Sequence, residues 1–272
     1  MWERHGRDIS MYDEPFLEKT LSKRVMFVSA QTLRDYLNLL AENGREAEEL
    51  SRLLVIAYSE FFRNPLTFGI LEQVILPALM QVPKEDHSGG QADHPEIRIW
   101  SAGCAAGQEA YSLAILLCEL ATISGNSRGF RIFATDRSGA ELAAAKKGMY
   151  NASDVQNIRL KHLRAFFTPI GDRWEVIPRL RDHIDFSNYD LLDEKTQSPP
   201  RCIFGGFDLI FCSNLLFYYR SEIRQFVLKK MFKSLSPGGF FVTGEAERAM
   251  IEPMDRLRPI FPSVAIFQKN EG

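Results

Sequence analysis

The sequence predicts an α/β protein: a Rossmann-like domain with a parallel sheet over residues 97–272, preceded by an all-helical domain over residues 1–80. Three observations carry the expectation. The run Ile97-Arg-Ile-Trp100 passes through a turn holding Gly103 and Gly107 directly into a helical pattern from Glu109 to Leu120. A second apolar run, Phe130-Arg-Ile-Phe-Ala-Thr135, ends in Asp136. Apolar spacing changes at residue 97, from helical intervals before it to alternating strand and helix after it.

Before that point, Phe16, Leu17, Leu21 and Val25 define one helical stripe. Leu33, Tyr36, Leu37 and Leu40 define a second, and Leu50, Leu53, Leu54 and Ala57 a third. Ser29 reads as a cap and Asn43-Gly44 as a stop. A fourth helix is predicted from Leu66 to Met80, with Leu71, Val74, Ile75 and Leu79 inward. Residues 81–96 turn polar around Ser88-Gly89-Gly90 and predict a flexible connection.

After Asp136 the pattern predicts a helix over Gly139–Lys147, then an irregular segment. Within it, Ala165-Phe-Phe-Thr-Pro-Ile170, a Gly171-Asp172 turn and Trp174-Glu-Val-Ile177 read as a β-hairpin, giving a small antiparallel β insertion at about residues 150–189. Ile184-Asp-Phe186 reads as a short strand and Asp208–Cys212 as a buried parallel one. Arg220–Leu235 reads as an amphipathic helix, Ser236-Pro-Gly-Gly239 as a turn and Phe240–Gly244 as the next strand. A sheet of this texture is covered on both faces, and its ligand belongs at the strand ends near the topological switch point.

Composition bounds the function. The chain has 272 residues, 45% hydrophobic and 25% charged, as in ordinary globular domains. A net charge of -2 gives no attraction to nucleic acid or an anionic membrane. No apolar run approaches the roughly 20 residues that span a bilayer, and Met1–Asp8 has no apolar signal region, so a cytoplasmic protein is expected. Cys104, Cys118, Cys202 and Cys212 form no Cys-x-x-Cys pair and read as free thiols. His5, His87, His94, His162 and His183 lack ligand spacing, and no metal is expected.

An acid at the tip of the second strand is placed to hold the two hydroxyls of a ribose. Gly103 and Gly107 stand four apart, so the dinucleotide fingerprint is absent, and no lysine follows them to hold a phosphate. A turn in acidic company suits a cofactor without phosphate. S-adenosylmethionine fits, with Asp136 on its adenosine and Glu109 on its ammonium. The plainer readings are two glycines that turn a strand into a helix, an acid favourable in a first helical turn, and an N-cap at Asp136.

Four motifs together resemble the CheR-type chemoreceptor glutamate methyltransferases over nearly the whole chain. Ser59-Glu-Phe-Phe-Arg63-Asn-Pro65 is similar to the family's T-x-F-F-R-(N/D)-P. Trp100-Ser-Ala-Gly-Cys-Ala-Ala-Gly-Gln-Glu-Ala-Tyr-Ser-Leu-Ala114 is similar to W-S-A-(G/A)-C-S-T-G-E-E-P-Y-S-L-A. Phe211-Cys-Ser-Asn-Leu-Leu-Phe-Tyr-Tyr219 resembles F-C-R-N-V-L-I-Y-F, and Leu235–Gly239 with Gly244–Glu247 resembles L-x-P-G-G and G-H-S-E. The resemblance implies S-adenosylmethionine as cofactor and S-adenosylhomocysteine as product. It implies cofactor contacts from Ser59, Arg63, Ala102, Gly103, Glu109, Asp136, Asp190, Leu191, Ser213 and Asn214, with Arg63, Tyr218 and Ser59 at the reaction centre. The implied partner is the cytoplasmic helical domain of a chemoreceptor, met by a monomeric enzyme. Its acidic surface would favour a basic face, for which Lys19, Lys23 and Arg24 lie on one helix.

Departures accompany the resemblance. Ser213 replaces the family arginine of F-C-R-N, Gln108 the first glutamate of G-E-E-P, Ala110 its proline, and Ala57 an expected asparagine. The family's first helix is expected to be shortened or missing before Asp8. An ionised carboxylate attacking a sulfonium methyl needs alignment and desolvation rather than a strong base. The expected activity is therefore methyl ester formation on receptor glutamates. A cofactor-binding regulatory module with lost or altered catalysis, which Ser213 keeps open, and a methyltransferase for another carboxylate remain the alternatives.

Overall fold

The computed structural model describes residues 8–54, 59–81, 96–124, 128–200, 202, 206–252 and 254–270. The chain divides into two compact units: Met1–Ile56 with Leu215–Leu228, and Ala57–Asn214 with Lys229–Gly272. Ala57, the region before Asp8 and most of the expected connection lie outside the described residues.

The first unit is helical. Helix α1 (Glu14–Phe27) starts with Pro15, whose fixed φ suits a first turn. Helix α2 (Leu33–Glu42) is capped by Thr32, whose side chain accepts the Asp35 amide at 3.1 Å. The cap expected at Ser29 is thus supplied three residues later, and Ser29 takes a φ of 56° in the turn after α1. Asn43 both stops α2 and starts α3 (Gly44–Leu54), its Oδ1 accepting the amides of Arg45 and Glu46. The three helices meet at a buried polar triad. Arg24 donates to both carboxylate oxygens of Glu46 at 2.9 and 2.6 Å, and the Tyr36 hydroxyl donates to Glu46 Oε1 at 2.7 Å. Arg24 is therefore withdrawn from the expected basic face, leaving Lys19 and Lys23 exposed. The segment Leu215–Leu228 closes this unit: the Asp13 amide donates to the Tyr218 carbonyl at 2.8 Å.

The second unit begins with the helical run expected at 66–80. Helices α4 (Pro65–Ile70) and α5 (Leu76–Gln81) are joined by a π turn over Leu71–Ile75. Leu71, Ile75, Leu76, Leu79 and Met80 share one core with Ile97, Ile99 and Leu113. The four helices read as one domain thus divide, three into the first unit and the fourth into the second. Periodicity marks the apolar face of a helix and does not say what covers it.

The main sheet has seven strands in the order β6-β2-β1-β7-β8-β10-β9. They are β1 (Ile97–Ala102), β2 (Phe130–Asp136), β6 (Ile184–Asn188), β7 (Phe207–Phe211), β8 (Leu235–Val242), β9 (Leu257–Pro259) and β10 (Ile266–Lys269). The first five pair in parallel, while β10 pairs antiparallel with β8 and β9. Helix α6 (Gln108–Ser124) follows β1, and α7 (Gly139–Lys147) follows β2. The turn expected at Ser236–Gly239 falls inside β8, where register slips: Phe207 pairs with Leu235, but Leu209 with Phe240.

A second sheet, in the order β3-β5-β4, is the small antiparallel insertion. It comprises β3 (Met149–Asn151), β4 (Phe167–Ile170) and β5 (Arg173–Val176). The hairpin forms as expected, but Ala165 and Phe166 end helix α8 (Leu160–Phe166) instead of opening the strand. Ile184–Asn188 belongs to the main sheet, paired with β2, so the insertion ends before it. Among the described residues, no helix is long and apolar enough to cross a membrane.

Candidate functional site

Strand order reverses between β1 and β7: the chain runs outward through β2 to β6, then returns to β7 on the other side of β1. The carboxyl ends of these two central strands flank the crevice where a doubly wound sheet binds its ligand. One pocket in the second unit is lined there by Ser59, Glu60, Arg63, Phe68, Gly103, Glu109, Phe211, Ser213 and Asn214. Six of the residues implied by the sequence, Ser59, Arg63, Gly103, Glu109, Ser213 and Asn214, therefore converge from three separate segments.

The first segment follows β1. Gly103 has φ 78° and donates its amide to the Thr135 carbonyl at 2.8 Å. The Cys104 amide donates to the same carbonyl, the Ala105 amide to Asp136 Oδ2, and the Gly107 amide to the Cys104 carbonyl. The turn is therefore closed on itself and on β2, with these four amides withdrawn from a ligand. These four amides thus form no phosphate cradle of the P-loop kind. Gly107 has φ 92°, and a Cβ there would sit 3.0 Å from Ala145 Cβ and 3.2 Å from the Phe186 ring. Only glycine fits that crossing of the turn over α7 and β6.

Glu109, in the first turn of α6, accepts the Ser101 hydroxyl at 2.6 Å. Burial pushes its carboxyl up to about 8. The Ser101 bond and the Arg63 charge pull it down, and Glu247 pushes it up. The thiols of Cys104 and Cys212 are raised well above their ordinary range by burial, which makes them poor nucleophiles.

The second segment brings Arg63. Phe62 and Asn64, on either side of it, have φ of 51° and 62°, left-handed values uncommon outside glycine. The surroundings hold this turn. Phe61 is fully buried and meets the rings of Tyr150 and Phe167 edge-on at 4.8 and 5.6 Å. Phe62 packs against Phe68 and His162, and its amide donates to Ser112 Oγ of α6 at 3.0 Å.

The third segment follows β7. The Ser213 hydroxyl donates to Asn214 Oδ1 at 2.9 Å, and Asn214 has φ 60°. Its amide donates to Glu247 Oε2 at 2.9 Å.

The other implied residues lie outside the pocket lining. Ala102 is the buried end of β1. Asp136 is buried at the end of β2, its two oxygens accepting the amides of Ala105 (2.9 Å) and Ser138 (2.8 Å). Burial raises its carboxyl above the usual range, against the pull of those bonds. Asp190 is exposed and closes its own turn by accepting the Leu192 amide, while Leu191 is buried. Tyr218 belongs to the helical unit, its ring edge against Phe16 at 4.7 Å. Sequence reasoning assigned no role to Ser101, Ser112 or Glu247, which support the site from behind. Glu247 stood inside a quoted motif, and its burial was the missing signal.

These residues fit S-adenosylmethionine. Arg63 and Glu109 line one pocket and match the carboxylate and, once Glu109 ionises against it, the ammonium of an amino acid. The Asp136 carboxylate has about four lone-pair sites and accepts the amides of Ala105, Ser138 and Arg137, so acceptor capacity remains for a ribose hydroxyl.

Fold and site together define an S-adenosylmethionine-dependent methyltransferase. Residues 57–261 match the family described as CheR methyltransferase, SAM binding domain, and the chain belongs to that family. It is 30% identical over 250 residues to a chemotaxis protein methyltransferase of Listeria innocua, covering 92% of this chain and 87% of that protein. It is 34% identical over 191 residues to chemotaxis protein methyltransferase 1 of Pseudomonas aeruginosa, covering 69% of this chain and 64% of that one. With a chemotaxis protein methyltransferase of Salmonella typhimurium it shares 25% identity over 253 residues, covering 91% and 80%.

Proposed function

We propose that this CheR-type methyltransferase transfers the methyl group of S-adenosylmethionine to glutamate side-chain carboxylates on the cytoplasmic helices of a chemoreceptor. The observation that carries the reading is the make-up of the pocket. Its lining has one cation, Arg63, and no histidine, lysine or cysteine among the described residues. An amine or alcohol acceptor would need a base to remove its proton, whereas a carboxylate is ionised near neutral pH and needs none. Glu109 is the lining group raised towards neutrality, and a bound ammonium would return it to the ionised state and occupy it.

The cofactor, when bound, supplies a methyl group activated by positive sulfur. The residues of this chain bind, orient and exclude water. Glu109 takes the ammonium, Arg63 a carboxylate in a two-pronged contact, and Asp136 the ribose. We assign Asp190 and Leu191 to the adenine, and Ser59 and Tyr218 to the reaction centre, on the family motif. The helical first unit acts as the part that meets the receptor, through the exposed Lys19 and Lys23. The enzyme works as a cytoplasmic monomer.

A second reading has one observation in its favour. Ser213 stands where the family has arginine and gives its hydroxyl to Asn214, which suits a cofactor-binding module with altered catalysis. Transfer of tritiated methyl groups to chemoreceptor cytoplasmic fragments separates the two. Base-labile counts are expected. Tight cofactor binding with no transfer to any fragment would overturn the proposal and favour the module.

A further inference from the structure

We propose that Glu247 is a positioning residue of the cofactor site, clamping the ends of β7 and β8 and fixing Asn214 in the pocket wall. Glu247 is completely buried. A single oxygen, Oε2, accepts three hydrogen bonds: from the Asn214 amide at 2.9 Å, the Thr243 hydroxyl at 2.7 Å and the Gly244 amide at 2.8 Å. The donors come from the segments that follow two adjacent parallel strands. One carboxylate therefore spans the sheet edge beside the pocket.

Asn214 needs that support. Its φ of 60° lies in the left-handed region, which asparagine takes more readily than other residues with a side chain, and local hydrogen bonds hold it there. The amide bond to Glu247 fixes the backbone, and the Ser213 hydroxyl fixes the side chain through Oδ1. Ser213 and Asn214 both line the pocket, so the chain of bonds runs from the buried carboxylate to the ligand surface. Packing here leaves no slack. A Cβ on Gly244 would lie 2.9 Å from Glu247 Oε2 and 3.0 Å from Asn214 Nδ2.

A charge in this position is a poor choice for stability alone, since burying a carboxylate carries a desolvation cost that an apolar side chain avoids. What a carboxylate adds is strong, oriented acceptance: charge-assisted bonds are shorter and stronger than those to a neutral amide. The same negative group lies near enough to Glu109 to push its carboxyl up, which places the clamp beside the ammonium end of the cofactor.

The inference rests on the reading that Asn214 faces the cofactor, and the test separates the two. In the full-length protein, Glu247→Gln keeps the shape and weakens the clamp. Calorimetry should give a dissociation constant for S-adenosylmethionine raised roughly tenfold, as small misplacements in a site do, while the KM for receptor fragment stays near wild type. Gly244→Ala drives a methyl group into the same contact without removing the charge, and should raise the constant similarly, so the proposal remains testable if Glu247→Gln fails to fold. Wild-type cofactor affinity in either folded variant would overturn it. So would an equal loss in cofactor affinity and receptor KM that tracks the fraction unfolded. Asn214→Ala tests the underlying reading: unchanged affinity there removes Asn214 from the cofactor site. If both single variants weaken binding, Glu247→Gln with Asn214→Ala should cost less than the sum, and additivity would show that Glu247 does not act through Asn214.

Discussion

Two walls of the pocket are built in opposite ways. The wall carrying Gly103 and Glu109 is closed by hydrogen bonds to the neighbouring strand, through Thr135 and Asp136. The wall carrying Ser59 and Arg63 is held by rings, with Phe61 and Phe62 seated among Tyr150, Phe167, Phe68 and His162. The first wall is polar and local to one βαβ unit. The second borrows its support from the β insertion and α8, about a hundred residues further along the chain. A site of this kind has two failure modes: loss of a directional bond on one side, and loss of packing volume on the other.

The largest effect should come from the packed wall. Phe61→Ala empties a fully buried ring position, which typically costs about 3–5 kcal/mol. Urea denaturation should report that loss. Cofactor affinity should fall as well, because the turn at Phe62–Asn64 loses the anchor of its left-handed backbone. Stability within 1 kcal/mol of wild type, on the scale of a surface change, would mean that the aromatic cluster is not what holds Arg63.

Asp136→Asn tests the polar wall. The amide keeps one acceptor oxygen where the carboxylate serves three backbone donors and, on our reading, a ribose. Losing charge-assisted bonds of about 1.5–3 kcal/mol predicts cofactor binding weakened by roughly 10- to 150-fold. Calorimetry giving unchanged affinity would take the ribose away from Asp136.

Ser112→Ala acts at the junction, since Ser112 of α6 accepts the Phe62 amide and donates to the Gln108 carbonyl at 2.7 Å. The amide left without its partner should cost about 1 kcal/mol. If the turn is held by packing first, the variant should lose this stability yet keep most of its cofactor affinity. A loss of affinity as large as that of Asp136→Asn would show that the hydrogen bond, not the rings, places Arg63.

The same contrast explains what could be read in the sequence. The polar wall was legible because everything it needs lies in one strand–turn–helix–strand unit, from Ile97 to Asp136, with glycines at two of its three positions of positive φ, Gly103 and Gly107, and Ala105 at the third. Ser59 and Arg63 carry no periodic signal, and only a motif pointed to them. No pattern announces that Phe61 will meet Tyr150 and Phe167, because such pairing is decided by the tertiary fold. The π turn at Leu71–Ile75 also escaped, since its apolar spacing is that of an ordinary helix. Strands β9 and β10 are short runs at the chain's end that alternate weakly, and nothing marked them as sheet. Glu247 was visible as a letter in a motif, but a buried glutamate and an exposed one look alike in sequence.

Glu109 offers the finest test, because its charge state joins the two walls. Its carboxyl, near 4.5 in an unfolded chain, is pushed up to about 8 in the folded protein, chiefly by burial. The folded state thus holds this proton more tightly than the unfolded one. The stability it contributes is fully present below pH about 4.5 and is lost as pH rises towards 8. Cofactor binding should run the other way. An ammonium placed on Glu109 favours the ionised form, so binding near neutrality releases a proton and tightens as pH rises. With a carboxyl at about 8, the ionised fraction grows roughly fivefold between pH 7 and 8, worth about 1 kcal/mol. An α-amino group of ordinary pKa, about 7.7–8.0, loses its own charge over the same interval, so the net gain in affinity is smaller than this and ends near pH 8. Titration calorimetry at pH 7 in buffers of different ionisation enthalpy should detect close to one proton released. Glu109→Gln should abolish both the release and the rise in affinity. Binding that is flat from pH 6 to 8, with no proton released, would separate Glu109 from the ammonium and leave Arg63 as the charged anchor to be tested next.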